Sequence, residues 1–274
     1  GKHLVGTRGG STSARAMFVV RRITHARAPR TALVGGLGLA TSLFNLSPTA
    51  AMSMSSSVPR PSSLRVYYGD MPFWRAEVVR LALFVGGVPF DDVRDQKRAD
   101  LAAAGKLTFG AVPILEADGK ILSQTQAMAV YAAKLAGLHP EDPWEAAKVD
   151  ECLNGCTDVT GTVGATFRLA EDEKAAARAK LITPEGRLTL HLGGLEKICA
   201  ENGGCGHAVG TDLTVADLAI WRLAGWLSSG VIDGVPAKYV VETFPALAKV
   251  VATVDAHPKV VEWKDRHKKF YGPK

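Results

Sequence analysis

The feature that most limits what this chain can become is a change of period near residue 142. Before that point, short alternating apolar runs take turns with amphipathic stretches; from Pro143 to the end, only helical spacing of apolar residues is found. Leu64 to Tyr68 (LRVYY) reads as a first strand and Phe73 to Val85 as a helix closed by Gly86-Gly87. Val88 to Val93 follows as a strand and Gln96 to Ala104 as a short polar helix. Val112 to Glu116 and Ile121 to Leu122 flank Ala117-Asp118-Gly119-Lys120, and Asp-Gly supplies the positive φ of a tight hairpin turn. Thr125 to Ala136 is then a helix ending at Gly137. The order βαβ and then ββα predicts a small α/β sandwich followed by an all-α unit, with loops at Gly203 to Gly206 and Val231 to Pro236.

Charge excludes some functions. The 274 residues carry a formal charge of +6, but residues 1–62 hold eight Lys or Arg and no acid, leaving 25 basic against 27 acidic residues in the remainder. No basic face on the folded part, hence no nucleic-acid partner, is expected. The acid-free start has the build of a removable leader to a mitochondrion or plastid, joined by a Ser/Pro linker. Translation from Met54 would instead give a cytoplasmic protein. Its apolar stretch, Ala32 to Leu46, is short of the roughly 20 residues of a membrane span, so stable membrane insertion is not expected.

Cys152, Cys156, Cys199 and Cys205 lack C-x-x-C spacing, which fits a reducing compartment, and Cys152 and Cys156, four apart, read as small buried hydrophobes. In the second unit, Thr214 and Asp217 have the spacing of a capping box, with Leu213 and Leu218 as its hydrophobic staple. Their reading is structural.

Three local signals point to one extended, anionic, peptide-like ligand. Pro113 lacks an amide donor, and a proline at the start of a strand, often cis, turns the backbone of Val112 outward to pair with an extended chain. Ser123-Gln124-Thr125 opens a helix directly after the hairpin, so free amides, a hydroxyl and the helix dipole together suit a carboxylate. Tyr67 and Tyr68 end the first strand, where a phenol can project toward both.

These residues, with Arg75-Ala76-Glu77, Phe109-Gly110, the run from Gly119 to Met128, Tyr131 and Leu213 to Leu218, resemble the glutathione transferase family, most nearly its sigma-like branch with an active-site tyrosine. The resemblance runs from about Leu64 to His267. It implies a leader and linker over 1–62, a thioredoxin-like glutathione-binding domain over 63–138, and a helical-bundle domain over 143–270 that holds a hydrophobic substrate pocket. It also implies that Val112, beside a cis Pro113, pairs with the cysteinyl backbone of glutathione, and that Gln124 and Thr125 bind its γ-glutamyl carboxylate. Arg75 belongs to the same site, and Lys106 stands in for the cation at the glycyl end, where the family's Trp and Lys are replaced by Asp100 and Ala104.

Tyr67 matches the catalytic tyrosine, whose phenol would donate to the glutathione thiolate. The loop after it is about two residues longer than the family's, which leaves Tyr68 as the alternative. Asp158 matches an aspartate that reaches glutathione across a homodimer, while Asn154 and Thr157 replace acids that serve some members in binding a divalent ion, so no metal is expected. The implied function is attack of a glutathione thiolate on small hydrophobic electrophiles. The same framework also serves glutathione-dependent isomerase or peroxidase chemistry, or non-catalytic ligand binding and assembly.

The leader reading predicts that the mature amino terminus falls between Ala50 and Ser63, as measured by terminal sequencing of protein from its source. Intact protein beginning near Met17 would contradict it.

Overall fold

The computed structural model describes residues 60–272; the leader expected over 1–62 therefore lies, apart from its last three residues, outside the described residues. Four strands form one mixed sheet: β1 (Leu64–Tyr67), β2 (Asp91–Val93), β3 (Ile114–Ala117) and β4 (Lys120–Ser123), in the order β2-β1-β3-β4. β1 runs parallel to β2 and antiparallel to β3, and β3 pairs antiparallel with β4. The β3–β4 turn has φ of 48° at Asp118 and 78° at Gly119, the double positive φ that Asp-Gly adopts at low cost. Asp118 also accepts from the Ser62 hydroxyl and the Ser63 amide, tying the entering chain to the hairpin.

β2 is shorter than expected. Val88 is buried, but its amide bonds back to the Leu83 carbonyl and so closes the preceding helix, while Pro89 has no amide to give a strand ladder. The helices of this first unit are α1 (Trp74–Val85), α2 (Arg98–Ala103) and α3 (Thr125–Ala136). Leu64, Val66 and Leu115 face α1 and α3 in the main core, whereas Ile114 and Tyr67 face Leu101 of α2 in a smaller cluster. α1 and α3 approach closely: a Cβ on Gly86 would stand 2.3 Å from that of Ala136.

Beyond Asp142 the described chain is helical: α4 (Pro143–Gly164), α5 (Glu171–Leu181), α6 (Arg187–Glu201), α7 (Val215–Leu227), α8 (Tyr239–Thr243), α9 (Pro245–Asp255), α10 (Pro258–Arg266) and α11 (Lys268–Tyr271). Asp142 caps α4 by accepting from the Trp144 and Glu145 amides, and Pro143 sits at the first turn, where its missing amide leaves no gap in the helix. α7 is buried at every position from Val215 to Ala224 and packs against α1, α4 and α9, which makes it the central helix. Among the described residues, no helix is long and apolar enough to cross a membrane.

The capping box forms with its roles partly rearranged. Asp217 accepts from the Thr214 amide at 2.7 Å, as expected, and also from the Ala208 amide at 2.6 Å and the Thr214 hydroxyl at 3.1 Å. Leu218 is fully buried and Leu213 packs partly buried against the core. Cys152, Cys156 and Cys199 are buried free thiols; burial pushes Cys152 up to about 12, so it stays protonated and packs as a hydrophobe.

A second buried carboxylate joins the two units. Glu77 of α1 accepts from Arg80 at 3.2 Å, from the Trp263 indole at 2.8 Å and from the Tyr271 hydroxyl at 2.7 Å. Arg80 continues to Asp92 at 2.8 Å and to the carbonyls of Met71 and Gly69. Both side chains are wholly buried, so losing the carboxylate strands a cation and two further donors, a change on the order of 3–5 kcal/mol.

Thr214→Ala should cost about 1 kcal/mol, or roughly 2–4 °C in melting temperature, and leave activity per folded molecule intact. Glu77→Ala should lower stability in denaturant by at least twice as much; equal losses would show that the buried network is not the stronger constraint.

Candidate active site

Strand parity decides which tyrosine can face which ligand. Tyr67 lies opposite Ile114 and Arg65 opposite Glu116, so all four share the α2 face of the sheet. There the Tyr67 hydroxyl donates to Glu116 at 3.0 Å, and Lys106 donates to the same carboxylate oxygen at 2.6 Å while lying 5.3 Å from the Tyr67 ring centroid. The Lys106 ammonium holds the Glu116 carboxyl below its usual range. The Tyr67 phenol and the Lys106 ammonium, both expected at the glutathione site, thus bond Glu116 on the α2 face.

Tyr68 continues the parity of Val66, toward α1, at the point where the chain leaves the sheet. Its amide still bonds the Val93 carbonyl at 3.2 Å, the Arg80 guanidinium lies 5.9 Å from its ring, and its hydroxyl bonds no other described group. Partial burial raises the phenol above its ordinary value, opposed by the positive charges of Arg75 and Arg80. At neutral pH it is therefore a proton donor.

The cleft itself gathers Arg75, Phe109, Val112, Pro113, Ser123, Gln124, Thr125 and Thr157. The Val112–Pro113 bond is cis, and the β3–β4 ladder begins only beyond it, at Ile114 and Ser123, which leaves Val112 outside the sheet pairing. Gln124 holds a φ of 74°, a conformation that a non-glycine residue adopts only under constraint and that is concentrated at functional sites. Its side chain does not cap α3, and the first turn of α3 contains no acid. The amides of that turn have no partner within the helix, the first intrahelical bond running from the Met128 amide to the Gln124 carbonyl. The Ser123 hydroxyl is buried without a partner among the described residues. Donors thus converge where a carboxylate would be welcome, with the exposed Arg75 at the rim.

Asp158 is 64% exposed on α4, lies 3.8 Å from His191, and does not line the cleft of its own chain; Thr157, one residue earlier, does. A second, larger cavity of about 710 Å³ adjoins the segment after Tyr68. Met71, Pro72 and Phe73 form one wall, α7 contributes Arg222 and Trp226, and the last helix contributes Phe270 and Tyr271. Phe73 links the two sites, since the Arg75 guanidinium lies 5.8 Å from its ring.

Glu116 escaped the sequence reading although a signal for it existed. The pairs 65/67 and 114/116 are two apart in neighbouring strands and must share a face once the register is known. Arg222 was marked by its setting, one cation inside the apolar run VADLAIWRLAGWL.

Residues 157–267 match the model of the glutathione S-transferase carboxy-terminal domain. Over 157 residues the chain is 33% identical to glutathione S-transferase 1 of Ascaris suum, covering 56% of this chain and 75% of that protein. To glutathione S-transferase A3 of Mus musculus it is 32% identical, over 59% of this chain and 75% of the relative. The solved structure of the glutathione S-transferase from Ascaris lumbricoides superposes with a TM-score of 0.60 at 28% identity, covering 77% of this chain and 98% of that one. Sheet order, helical second unit and sequence likeness agree: the chain belongs to the glutathione S-transferase family of enzymes.

Proposed function

We propose that the protein activates the thiolate of glutathione for attack on hydrophobic electrophiles, with Tyr68 as the residue that stabilises the thiolate. In this reading the γ-glutamyl carboxylate lies at the start of α3 against Gln124 and Thr125, and the cysteinyl backbone runs beside Val112. The electrophile occupies the cavity behind Met71 to Phe73. The observation that carries the assignment is the division of labour between the tyrosines: the Tyr67 hydroxyl is held by Glu116, while Tyr68 faces α1 with a protonated phenol near Arg75.

A phenol donating to a sulfur anion favours the charged form and lowers the thiol pKa. A shift from about 8.5 to about 6.5 corresponds to roughly 2.7 kcal/mol, the scale of one charge-assisted bond with help from nearby dipoles. Tyr68→Phe should keep the fold and glutathione affinity, raise the pKa of the bound thiol read by thiolate absorbance, and slow conjugation of an activated aryl halide by about 10- to 100-fold at neutral pH. Tyr67→Phe should change the thiol pKa little. An unchanged thiol in Tyr68→Phe would remove the tyrosine mechanism and favour a ligand-binding role, for which retention on glutathione resin without turnover would be the signature.

The exposure of Asp158 outside its own cleft supports a homodimer in which it reaches glutathione in the other subunit. Asp158→Ala should weaken glutathione binding roughly fivefold, about 1 kcal/mol, without altering the melting temperature. A monomer at micromolar concentration in sedimentation, binding glutathione normally, would exclude the cross-subunit role.

A further inference from the structure

Three arginines are buried in the described part of the molecule, and they differ in one respect. Arg80 has Glu77 and Asp92 as ion partners, and Arg178 has Asp233 at 3.9 Å. Arg222, only 8% exposed, has no carboxylate within ion-pairing distance among the described residues. Its Nε donates to the Pro72 carbonyl, and its guanidinium lies 5.4 Å from the Tyr271 ring centroid and 5.9 Å from that of Trp221. The two terminal nitrogens have no hydrogen-bond partner among the described residues, and Arg222 lines the 710 Å³ cavity. Lys269, the other cation there, is already bound to Asp70 at 2.5 Å.

A mostly buried guanidinium whose two terminal nitrogens open onto an aromatic cavity is suited to an anion that completes its hydrogen bonds. Phe73, Trp226 and Phe270 supply apolar walls, and the volume lies within the roughly 300–1,000 Å³ of ordinary ligand pockets. We propose that the electrophile this protein handles is an apolar molecule carrying one carboxylate, which pairs with Arg222 while the reactive carbon is turned toward the cleft. This rests on the reading of the cavity as the second-substrate site. For an enone the chemistry is an addition: the glutathione sulfur forms one bond to the β-carbon, the C=C electron pair becomes an enolate, and solvent protonates it. Nothing leaves and no oxidant is needed.

Ethacrynic acid suits the test, because its carboxylate is remote from its enone and its methyl ester has the same reacting group without the charge. The wild-type KM for the acid should be roughly tenfold or more below that for the ester, and Arg222→Gln should erase the difference. Arg222→Lys, which keeps the charge but loses the planar fork, should retain part of it. The saturated acid and its ester, titrated by tryptophan fluorescence, should show the same preference independently of turnover. Acid preference in binding without conjugation would refute the proposed catalytic function and uphold this assignment. Equal handling of acid and ester by wild-type protein, or an unchanged ratio in a folded Arg222→Gln protein, would overturn it.

Discussion

The carboxylate of Glu77 is the point on which both units depend. It is wholly buried, and three donors converge on it from Arg80 in its own helix, Trp263 in α10 and Tyr271 in α11. Such a charge is tolerable in a core only when its donors are all in place, and the low dielectric that makes the arrangement strong makes partial versions of it costly. Arg80 carries the constraint onward to Asp92 in β2 and to the carbonyls of Gly69 and Met71. One helix therefore sets the path of the segment after Tyr68, the end of β2 and the seat of the carboxy-terminal helices. The apolar cavity, lined by Met71 and Tyr271, is positioned by the same pair of side chains.

The sheet supplies the second constraint, its pleat. Adjacent tyrosines in a strand cannot do the same work, because one faces α2 and the other α1. Tyr67 joins Lys106 and Glu116 across β1 and β3, close to both ends of the loop that carries Phe109, Val112 and Pro113 into the cleft. That cluster ties β1 and β3 to the start of the loop.

Much of this was legible in the sequence where one local rule acts alone. The helix Thr125–Ala136 follows from its period and Gly137, the hairpin from Asp118-Gly119, and the bond from Asp217 to the Thr214 amide from a spacing of three. Family resemblance located Gln124, Thr125 and Val112, and the structure brings them together with Arg75 around one cleft. What depends on register is not legible from periodicity alone. Whether Tyr67 or Tyr68 faces α1 is a matter of a single residue in a strand of four, and the longer loop after it hides the parity. The bond of Lys106 to Glu116, ten residues away on another element, is a contact that no periodicity reports. Arg222 is one cation in a core helix, and its lack of a carboxylate partner among the described residues is visible only when its neighbours are known.

The described carboxy-terminal residues do more than close the chain. Phe270, Tyr271 and Gly272 form part of the wall of the apolar cavity, whereas the chain enters at Ser62 and Ser63 fastened to the hairpin turn at Asp118. For anyone building with this scaffold, the two ends are not equivalent handles. A fusion partner or surface attachment placed after Gly272 lies beside the apolar cavity, while one placed upstream of Ser62 departs from the hairpin.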